Sequence, residues 1–462
     1  MATVTPLDQQ RFLVDPAEPR SDALRRELEK LEPRSQRTFT PSGAVIASSS
    51  GSYHYTPEGR KLADFTSGVL VANLGHHPTR WWDRVNAYMG LVFQPTSDRY
   101  LKATPLTAYN ALTEVEVEAS RRLIASLRSQ PGGGRLEQIL WAASGSEAVQ
   151  KGLKAAIARR PDADVILATR HGFHGKKGLA GAVTGSESDD ERDPRVRFLS
   201  FPMAECVSIH RRREPIDLTA YREELNSAYA TDGRRICALI TEPYLGGGGS
   251  YHPQVEYLQL LQQFCREHDI LFILDEVQSN FGRTGGMYAY STYGVEPDLV
   301  ILGKGMANGM PVDAVAGRRD VLEKLGYGDA SDTWSAHPLG CAAVLATLDE
   351  FETSDVLEHA AQLAIVIEAG LARLMQLKSI LAVRGEGTVW GVHCGSTTDR
   401  SPAQVAAEIV KRCYQGDEQG RAIHLLGPLA GCVIRIAPPL TMDLEEALEY
   451  LDAMYQIVAE IS

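Results

Sequence analysis

The chain has 462 residues, of which 44% are hydrophobic and 23% charged, and its formal net charge at pH 7 is −12. This length can bury a large core and favours more than one domain, and the acidic balance argues against a nucleic-acid binder. No apolar run approaches a membrane span, and the N-terminus lacks the apolar core of a signal peptide. Seven scattered cysteines without a CxxC pair are typical of reduced thiols. Together these features predict a cytoplasmic globular enzyme.

The chain begins with polar segments and then changes character. Residues 21–33 ("SDALRRELEKLEP") predict an exposed leading helix, and residues 50–68 predict a hairpin around the turn residues "TPEGR". From about residue 105 to 335, helical patterns alternate with five short apolar runs: "DVILAT", "RVRFLS", "ICALIT", "ILFILD" and "DLVILG". Such runs are typical of a mostly parallel sheet with helices on both faces, so we predict an α/β fold.

The pattern changes again near residue 336, where a long helix leads into mixed segments and a closing helix over residues 443–461. We therefore predict three parts. Residues 1–75 form an N-terminal segment that packs with the small domain, residues 76–335 form the large domain, and residues 336–462 form a small α+β domain.

Ionisable residues follow three of the predicted strands. Glu242 follows "ICALIT", Asp275 and Glu276 end "ILFILD", and Lys304 follows "DLVILG" between two glycines. One charge at the end of a strand is common and needs no function. Because ligands of open parallel sheets sit outside the carboxyl ends of the strands, three such groups predict one shared crevice.

Two further stretches suit a phosphate and a planar ring. "WAASGSEAVQKGLKAA" places Ser144, Gly145 and Ser146 at the start of an amphipathic helix, where free N–H groups and the helix dipole favour an anion. Plain helix capping by serine explains the same residues. In "RHGFHGKKG", Phe173 stands in a glycine-rich loop after "DVILAT", where an aromatic ring could stack on a planar ligand or simply fill the core.

These residues carry a resemblance to a known family. The chain resembles the class III aminotransferases, pyridoxal 5'-phosphate enzymes of fold type I, the aspartate aminotransferase-like fold. The match runs from "YHYTPEGRKLADFTSGVLVANLGHHP" through "IRIAPPL". Its most specific stretch is "ILFILDEVQSNFGRTGGMYAYSTYGVEPDLVILGKGMANGMPVDAVAGR", because DEVQ, FGRTG, PD and GK occur there in the family's order.

The resemblance implies a role for each of these residues. Lys304 would hold the cofactor aldehyde as a Schiff base and then act as general acid and base. Asp275 would pair with the pyridine nitrogen and keep the ring an electron sink. The other implied cofactor contacts are Val277 and Phe173 on the two ring faces, Gln278 at the ring hydroxyl, Gly145 and Ser146 at the phosphate, Thr333 from a second subunit, and Glu242 nearby. The resemblance thus also implies a homodimer with its active site at the subunit interface.

The substrates implied by the resemblance are a small amino donor and an oxo-acid acceptor. Family members that act on ω-amino acids carry a glutamate five residues after that of "EP", which masks an arginine. Here that position is Gly247, while the arginine is present as Arg435 in "CVIRIAPPL". We therefore expect an unmasked Arg435 to grip a substrate carboxylate. A decarboxylase, a racemase or epimerase, or a lyase of the same family would use the same lysine and aspartate, and these reactions stay open.

A protein without the cofactor is the weakest alternative, because no GxGxxG follows a strand and neither GxSxG nor a Walker-type GK[ST] occurs. "GHHP" at residues 75–78 suggests a metal, but no second ligand cluster stands at a suitable spacing, so we expect no metal site. The sequence departs from the family at Ser279–Asn280, at Asn308, at Lys176 and in the long segment 91–117. Each departure could alter the substrate, and none removes the cofactor residues.

Overall fold

The protein is described from a computed structural model, which describes residues 12, 16–91, 100–185 and 193–462. Part of the long segment 91–117, residues 92–99, lies outside these ranges. The helices are α1 (Pro19–Leu31), α2 (Ser67–Leu70), α3 (Thr79–Met89), α4 (Glu114–Ser129), α5 (Gly145–Arg159), α6 (Gly178–Ala182), α7 (Ile209–Arg212), α8 (Thr219–Asp232), α9 (Val255–Glu267), α10 (Ala289–Thr292), α11 (Arg319–Leu322), α12 (Pro338–Thr353), α13 (Val356–Leu374), α14 (Pro402–Gln415) and α15 (Leu444–Ile461).

The strands form three sheets. They are β1 (Ser48–Ser50), β2 (Tyr53–Tyr55), β3 (Lys61–Asp64), β4 (Gln138–Ala142), β5 (Val165–Thr169), β6 (Val196–Leu199), β7 (Ile236–Thr241), β8 (Leu271–Asp275), β9 (Leu299–Leu302), β10 (Asp313–Gly317), β11 (Ile380–Glu386), β12 (Val389–Cys394), β13 (Ala422–His424) and β14 (Val433–Ile436). The largest sheet has the order β4-β10-β9-β8-β7-β5-β6.

The largest sheet is mostly parallel, as predicted. The pairs β5–β6, β5–β7, β7–β8 and β8–β9 are parallel, and β10 runs antiparallel to both of its neighbours. Alternate residues of β8 enter two different cores: Phe272 and Leu274 lie in one, and Leu271 and Ile273 lie in the other. Both faces of the sheet are therefore buried beneath helices, which confirms the α/β class.

The five predicted apolar strands occur in the structure, whereas β4 and β10 were not predicted. The sequence of β10, "DAVAG", consists mainly of small residues, and three residues of β4 are only half-buried. Neither strand carries the run of β-branched residues that marks a buried strand, so their places are set by pairing within the sheet.

The N-terminal hairpin forms as predicted and joins a strand from the far end of the chain. β2 and β3 pair antiparallel, and β13 pairs parallel with β3, which places His424 beside Asp64. The third sheet, β11-β12-β14, packs with α13, α14 and α15 in a separate core. The β3–β13 pair agrees with an N-terminal segment that packs on the C-terminal region, and the proposed boundaries at residues 75 and 335 stay a prediction.

The leading helix occurs, but it is not simply an exposed helix. Arg25 is buried and pairs with Glu18 at 3.0 Å and with Asp22 at 2.5 Å. Arg25 also donates a hydrogen bond to Tyr414 on α14, which fixes α1 on the C-terminal region. Within the described ranges, none of the helices is both long and apolar enough to cross a membrane.

Candidate active site

Lys304 lies at the carboxyl edge of the large sheet, directly after β9. Its φ angle is +48°, a left-handed conformation that is strained for a residue with a side chain. Asn280 donates a hydrogen bond to the carbonyl oxygen of Gly303, at 3.2 Å, and so holds the peptide before the lysine. The sequence departure at Asn280 therefore stabilises the turn that presents Lys304.

The Lys304 amine lies in a crevice of charged groups. Burial and, after it, the charge of Arg435 lower the pKa of Lys304, Asp275, Glu242 and Asp313 oppose the shift, and the resulting pKa is about 8. Among the described residues, none forms a hydrogen bond or ion pair with Lys304 Nζ. The site thus contains an amine with a reduced proton affinity and no committed partner, which is what nucleophilic attack on an aldehyde requires.

Asp275 is buried at the end of β8, and a histidine fixes its carboxylate. The distance from His174 Nδ1 to Asp275 Oδ2 is 2.8 Å, and the backbone N–H of Val277 donates to Oδ1 at 3.1 Å. His174 Nε2 is buried without a hydrogen-bond partner. The sequence analysis did not assign a role to His174, because a loop residue far along the chain gives no local sign of its partner.

The start of α5 shows both features that its sequence suggests, a serine cap and free N–H groups that suit an anion. Ser144 is the N-cap, and its hydroxyl accepts the N–H of Glu147 at 3.3 Å. Within the described chain, the N–H groups of Gly145 and Ser146 have no acceptor. A Cβ atom at Gly175 would lie 2.4 Å from Ser146 Oγ, so only glycine permits this close approach. Serine capping leaves two N–H groups of a 15-residue helix available to an anion.

Glu242 joins the two loops that line the crevice. Its Oε1 accepts the N–H of Phe173 at 2.9 Å, and its Oε2 accepts the N–H of Gly246 at 3.2 Å. Burial raises the pKa of Glu242 to about 7, and the neighbouring charge of Asp275 adds to the shift. Glu242 therefore places the aromatic loop against the glycine loop, "GGGGS", beside the end of β7.

Arg435 reaches the same crevice from β14. Its Nη1 donates to Gln278 Oε1 at 3.1 Å, and a Cβ at Gly246 would lie 2.3 Å from that oxygen. Burial lowers the pKa of Arg435. No carboxylate within the described ranges forms an ion pair with Arg435, and its hydrogen-bond partner is a neutral amide.

Thr333 lies apart from these residues within one chain. It is exposed, in a turn that Lys151 anchors through an ion pair with Asp332 at 2.6 Å. Thr107 donates to the carbonyl oxygen of Thr333 at 3.2 Å and connects this turn with the segment before α4. Among the described residues, the contacts of this turn are with Thr107 and Lys151, and Thr333 forms no hydrogen bond with Lys304.

Two buried carboxyl groups change the list of residues that the sequence predicts for the crevice. Glu276 does not join the crevice, because its oxygens accept the N–H groups of Ala289 and Tyr290 at 2.7 and 2.6 Å. Asp313, which the sequence analysis missed, begins β10 so close to Gly303 that a Cβ there would lie 1.8 Å from Asp313 Oδ1. Burial raises the pKa of Asp313 to about 7.

The residues present fit pyridoxal 5'-phosphate. Unpartnered N–H groups at the start of α5 suit its phosphate, the Asp275 carboxylate suits its ring nitrogen, and Lys304 suits its aldehyde. A parallel α/β sheet that gathers these three groups at its carboxyl edge defines a pyridoxal-phosphate enzyme of fold type I.

Comparison with known proteins identifies the family. The sequence profile of the family "Aminotransferase class-III" matches residues 35–458, and the chain belongs to this family. The chain is similar to a 5-aminovalerate aminotransferase of Pseudomonas aeruginosa, at 30% identity over 87% of this chain and 91% of the relative. It is also similar to a 4-aminobutyrate aminotransferase of Mycobacterium leprae, at 28% identity over 99% of this chain and 100% of the relative.

Solved structures agree on the fold. An amine transaminase from an uncultivated Pseudomonas species superposes with a TM-score of 0.74 at 26% identity, covering 92% of this chain and 96% of that one. An (S)-enantioselective omega-transaminase from Thermomicrobium roseum gives a TM-score of 0.79 at 23% identity, covering 96% and 98%. The protein is a pyridoxal-phosphate-dependent aminotransferase.

Proposed function

We propose that Lys304 carries the cofactor and moves the proton in this aminotransferase, which passes an amino group from an amino acid or amine to a 2-oxo acid. The observation that carries the assignment is the combination at one sheet edge of a lysine with a pKa near 8 and a histidine-bound aspartate. When bound, pyridoxal 5'-phosphate supplies the electron sink that acidifies the donor's Cα–H bond.

Each residue of the site has a separate role in this reaction. The low pKa of Lys304 keeps part of the amine neutral near pH 7, so that it can attack an aldehyde and later take a proton from Cα of the donor. Asp275, held by His174, would place its carboxyl group beside the ring nitrogen. Gly145 and Ser146 would hold the phosphate through their N–H groups, while Val277 and Phe173 would flank the ring and Gln278 would contact its hydroxyl.

Arg435 selects substrates that carry a carboxylate. Its only hydrogen bond in the described chain goes to the neutral Gln278 amide, so a substrate carboxylate meets no competing charge. Arg435→Lys keeps the charge and loses the bidentate geometry. We expect kcat/KM to fall about tenfold or more for donors with a carboxylate and to change little for simple amines. Equal losses for both donor types would contradict this role.

A second copy of the chain completes the site with Thr333. The segment before α4 and the turn near Thr333 expose apolar side chains, including Leu106 (63%), Leu112 (83%) and Trp334 (58%). An exposed apolar face of this kind is typical of a subunit interface.

The reaction is tested with the holoenzyme and a panel of amino donors in the absence of any oxo acid. We expect a suitable donor to release one equivalent of its oxo acid per chain and no carbon dioxide, because the amino group remains on the enzyme. Racemised donor without oxo acid, or release of carbon dioxide, would contradict transamination and indicate a racemase or a decarboxylase.

A further inference from the structure

A buried cluster of imidazoles and one carboxylate lies outside the site described above. His54 on β2, Asp64 on β3 and His76 in the turn before α3 present ligand atoms that all lie within 4.8 Å of one another. His76 Nε2 is 2.8 Å from Asp64 Oδ2, and His54 Nε2 is 3.4 Å from the same oxygen. His424 on β13 stands beside Asp64 in the sheet, with its ring centroid 5.1 Å from that of His54.

Hydrogen bonds with neighbouring residues fix the orientation of Asp64 and His54. Asp64 Oδ1 accepts hydrogen bonds from the N–H and the hydroxyl of Thr66, at 2.8 and 2.6 Å, which leaves Oδ2 facing the imidazoles. Ser49 Oγ lies 2.7 Å from His54 Nδ1, so Nε2 is the nitrogen turned toward Asp64. Hydrogen bonds of this kind fix the orientation of ligands at metal sites.

Hydrogen bonds within the cluster do not satisfy it. His54 is 4% exposed and His424 is 8% exposed, and His54 Nε2 and His424 Nδ1 are both buried without a hydrogen-bond partner. Leaving a buried polar nitrogen unpaired costs about 1–3 kcal/mol.

Two of the three donor separations lie near those of a tetrahedral ion, and the third, between the two imidazole nitrogens, lies within 4.8 Å. Two donors at about 2.0–2.1 Å from a tetrahedral Zn²⁺ lie about 3.3 Å apart. The separation between His54 and Asp64, 3.4 Å, matches this value, and that between His76 and Asp64 needs to widen by about 0.5 Å. Imidazole nitrogens with one carboxylate favour zinc-type transition ions over Mg²⁺ or Ca²⁺.

We propose that this cluster binds one zinc-type divalent cation through His54 Nε2, Asp64 Oδ2 and His76 Nε2. The ion would connect β2, β3 and the turn before α3. Asn308, four residues after Lys304, accepts the N–H of Leu74 and donates to the carbonyl oxygen of Gly75 in that turn, at 2.9 and 3.1 Å. The cation would therefore stabilise the turn before α3, which contacts the Lys304 turn through Asn308. It takes no part in amino transfer.

The test uses the untagged holoenzyme, stripped of metal and titrated with Co²⁺, which occupies zinc sites and absorbs visible light. We expect one Co²⁺ per chain with the intense bands of tetrahedral coordination, and a melting temperature that rises with Co²⁺ concentration. His54→Leu should weaken binding at least about 100-fold. His77→Asn is the matched control, because His77 neighbours His76, lies outside the cluster and has a φ of +53° that asparagine tolerates.

Wild-type protein that binds no stoichiometric Co²⁺ would overturn the proposal, and this measurement needs no variant to fold. Equal Co²⁺ affinity in wild type and His54→Leu would overturn it as well. The visible band of the bound cofactor, recorded for each variant, shows that the fold is retained.

Discussion

The pH dependence of cofactor capture by Lys304 follows from its surroundings. Burial lowers the lysine pKa from its ordinary value of 10.5 to about 8. At pH 7 the neutral fraction is then about 10%, against about 0.03% for an ordinary lysine, a difference of about 300-fold. Because only the neutral amine attacks, the capture rate should rise about fivefold from pH 7 to pH 8 and level off above pH 9.

The assay is stopped-flow mixing of apoprotein with pyridoxal 5'-phosphate, followed in the visible absorption band. The same reaction with Nα-acetyllysine provides the control, because the ratio of the two rates cancels the cofactor's own ionisation. We expect the ratio to be nearly constant below pH 7 and to fall about five- to sevenfold per pH unit between pH 8 and 10. A constant ratio from pH 7 to 10 would refute the reasoning, since Lys304 would then titrate like a free lysine.

Two neighbouring charges shift the Lys304 pKa in opposite directions, and the same experiment measures both shifts. Arg435 lowers the Lys304 pKa and Asp275 raises it. Arg435→Met should therefore move the plateau of the capture rate to higher pH, and Asp275→Asn should move it to lower pH. Shifts in the same direction for both variants would contradict the electrostatic account.

Three further predictions test other parts of the site. Gly175→Ala should weaken pyridoxal 5'-phosphate binding about tenfold or more and leave pyridoxal binding nearly unchanged, because the added Cβ displaces Ser146. Equal losses for both compounds would contradict the phosphate assignment. Gly59→Ala is the control, because Gly59 also has a positive φ but faces open space. Asp275→Asn should lower kcat about 10²–10³-fold with the melting temperature retained; unchanged turnover would exclude its role. Leu112→Glu should yield monomers in sedimentation, whereas Leu448→Glu at another exposed position should not.

The sequence predicted those features that depend on local pattern. Five continuous apolar runs predicted five strands, and charged residues directly after them predicted the crevice, because carboxyl ends of parallel strands meet at one edge. It missed β10 and with it Asp313, because a strand of small residues has no distinctive pattern. Asn280 and Asn308 were noted only as departures, and the structure shows hydrogen bonds that hold the two sides of the Lys304 turn.

Contacts between distant segments account for the rest. His174 meets Asp275 only through the fold, and His54, Asp64 and His76 come together only when β2 pairs with β3 and the turn before α3 bridges to Gly51. For this reason, the expectation of no metal at "GHHP" followed from spacing along the chain, while the proposed cation site follows from spacing in the sheet. The predicted cytoplasmic location and the homodimer depend on properties that one folded chain does not display, and they stay predictions.

The most direct test of the central claim is to reduce the holoenzyme with borohydride and map its peptides by mass spectrometry. The account predicts one reduced phosphopyridoxyl group per chain, attached to Lys304 in the peptide that follows β9, and no such group after the amino donor has been added first. A group on another lysine, or none on any lysine, would contradict the assignment of Lys304 as the residue that carries the cofactor.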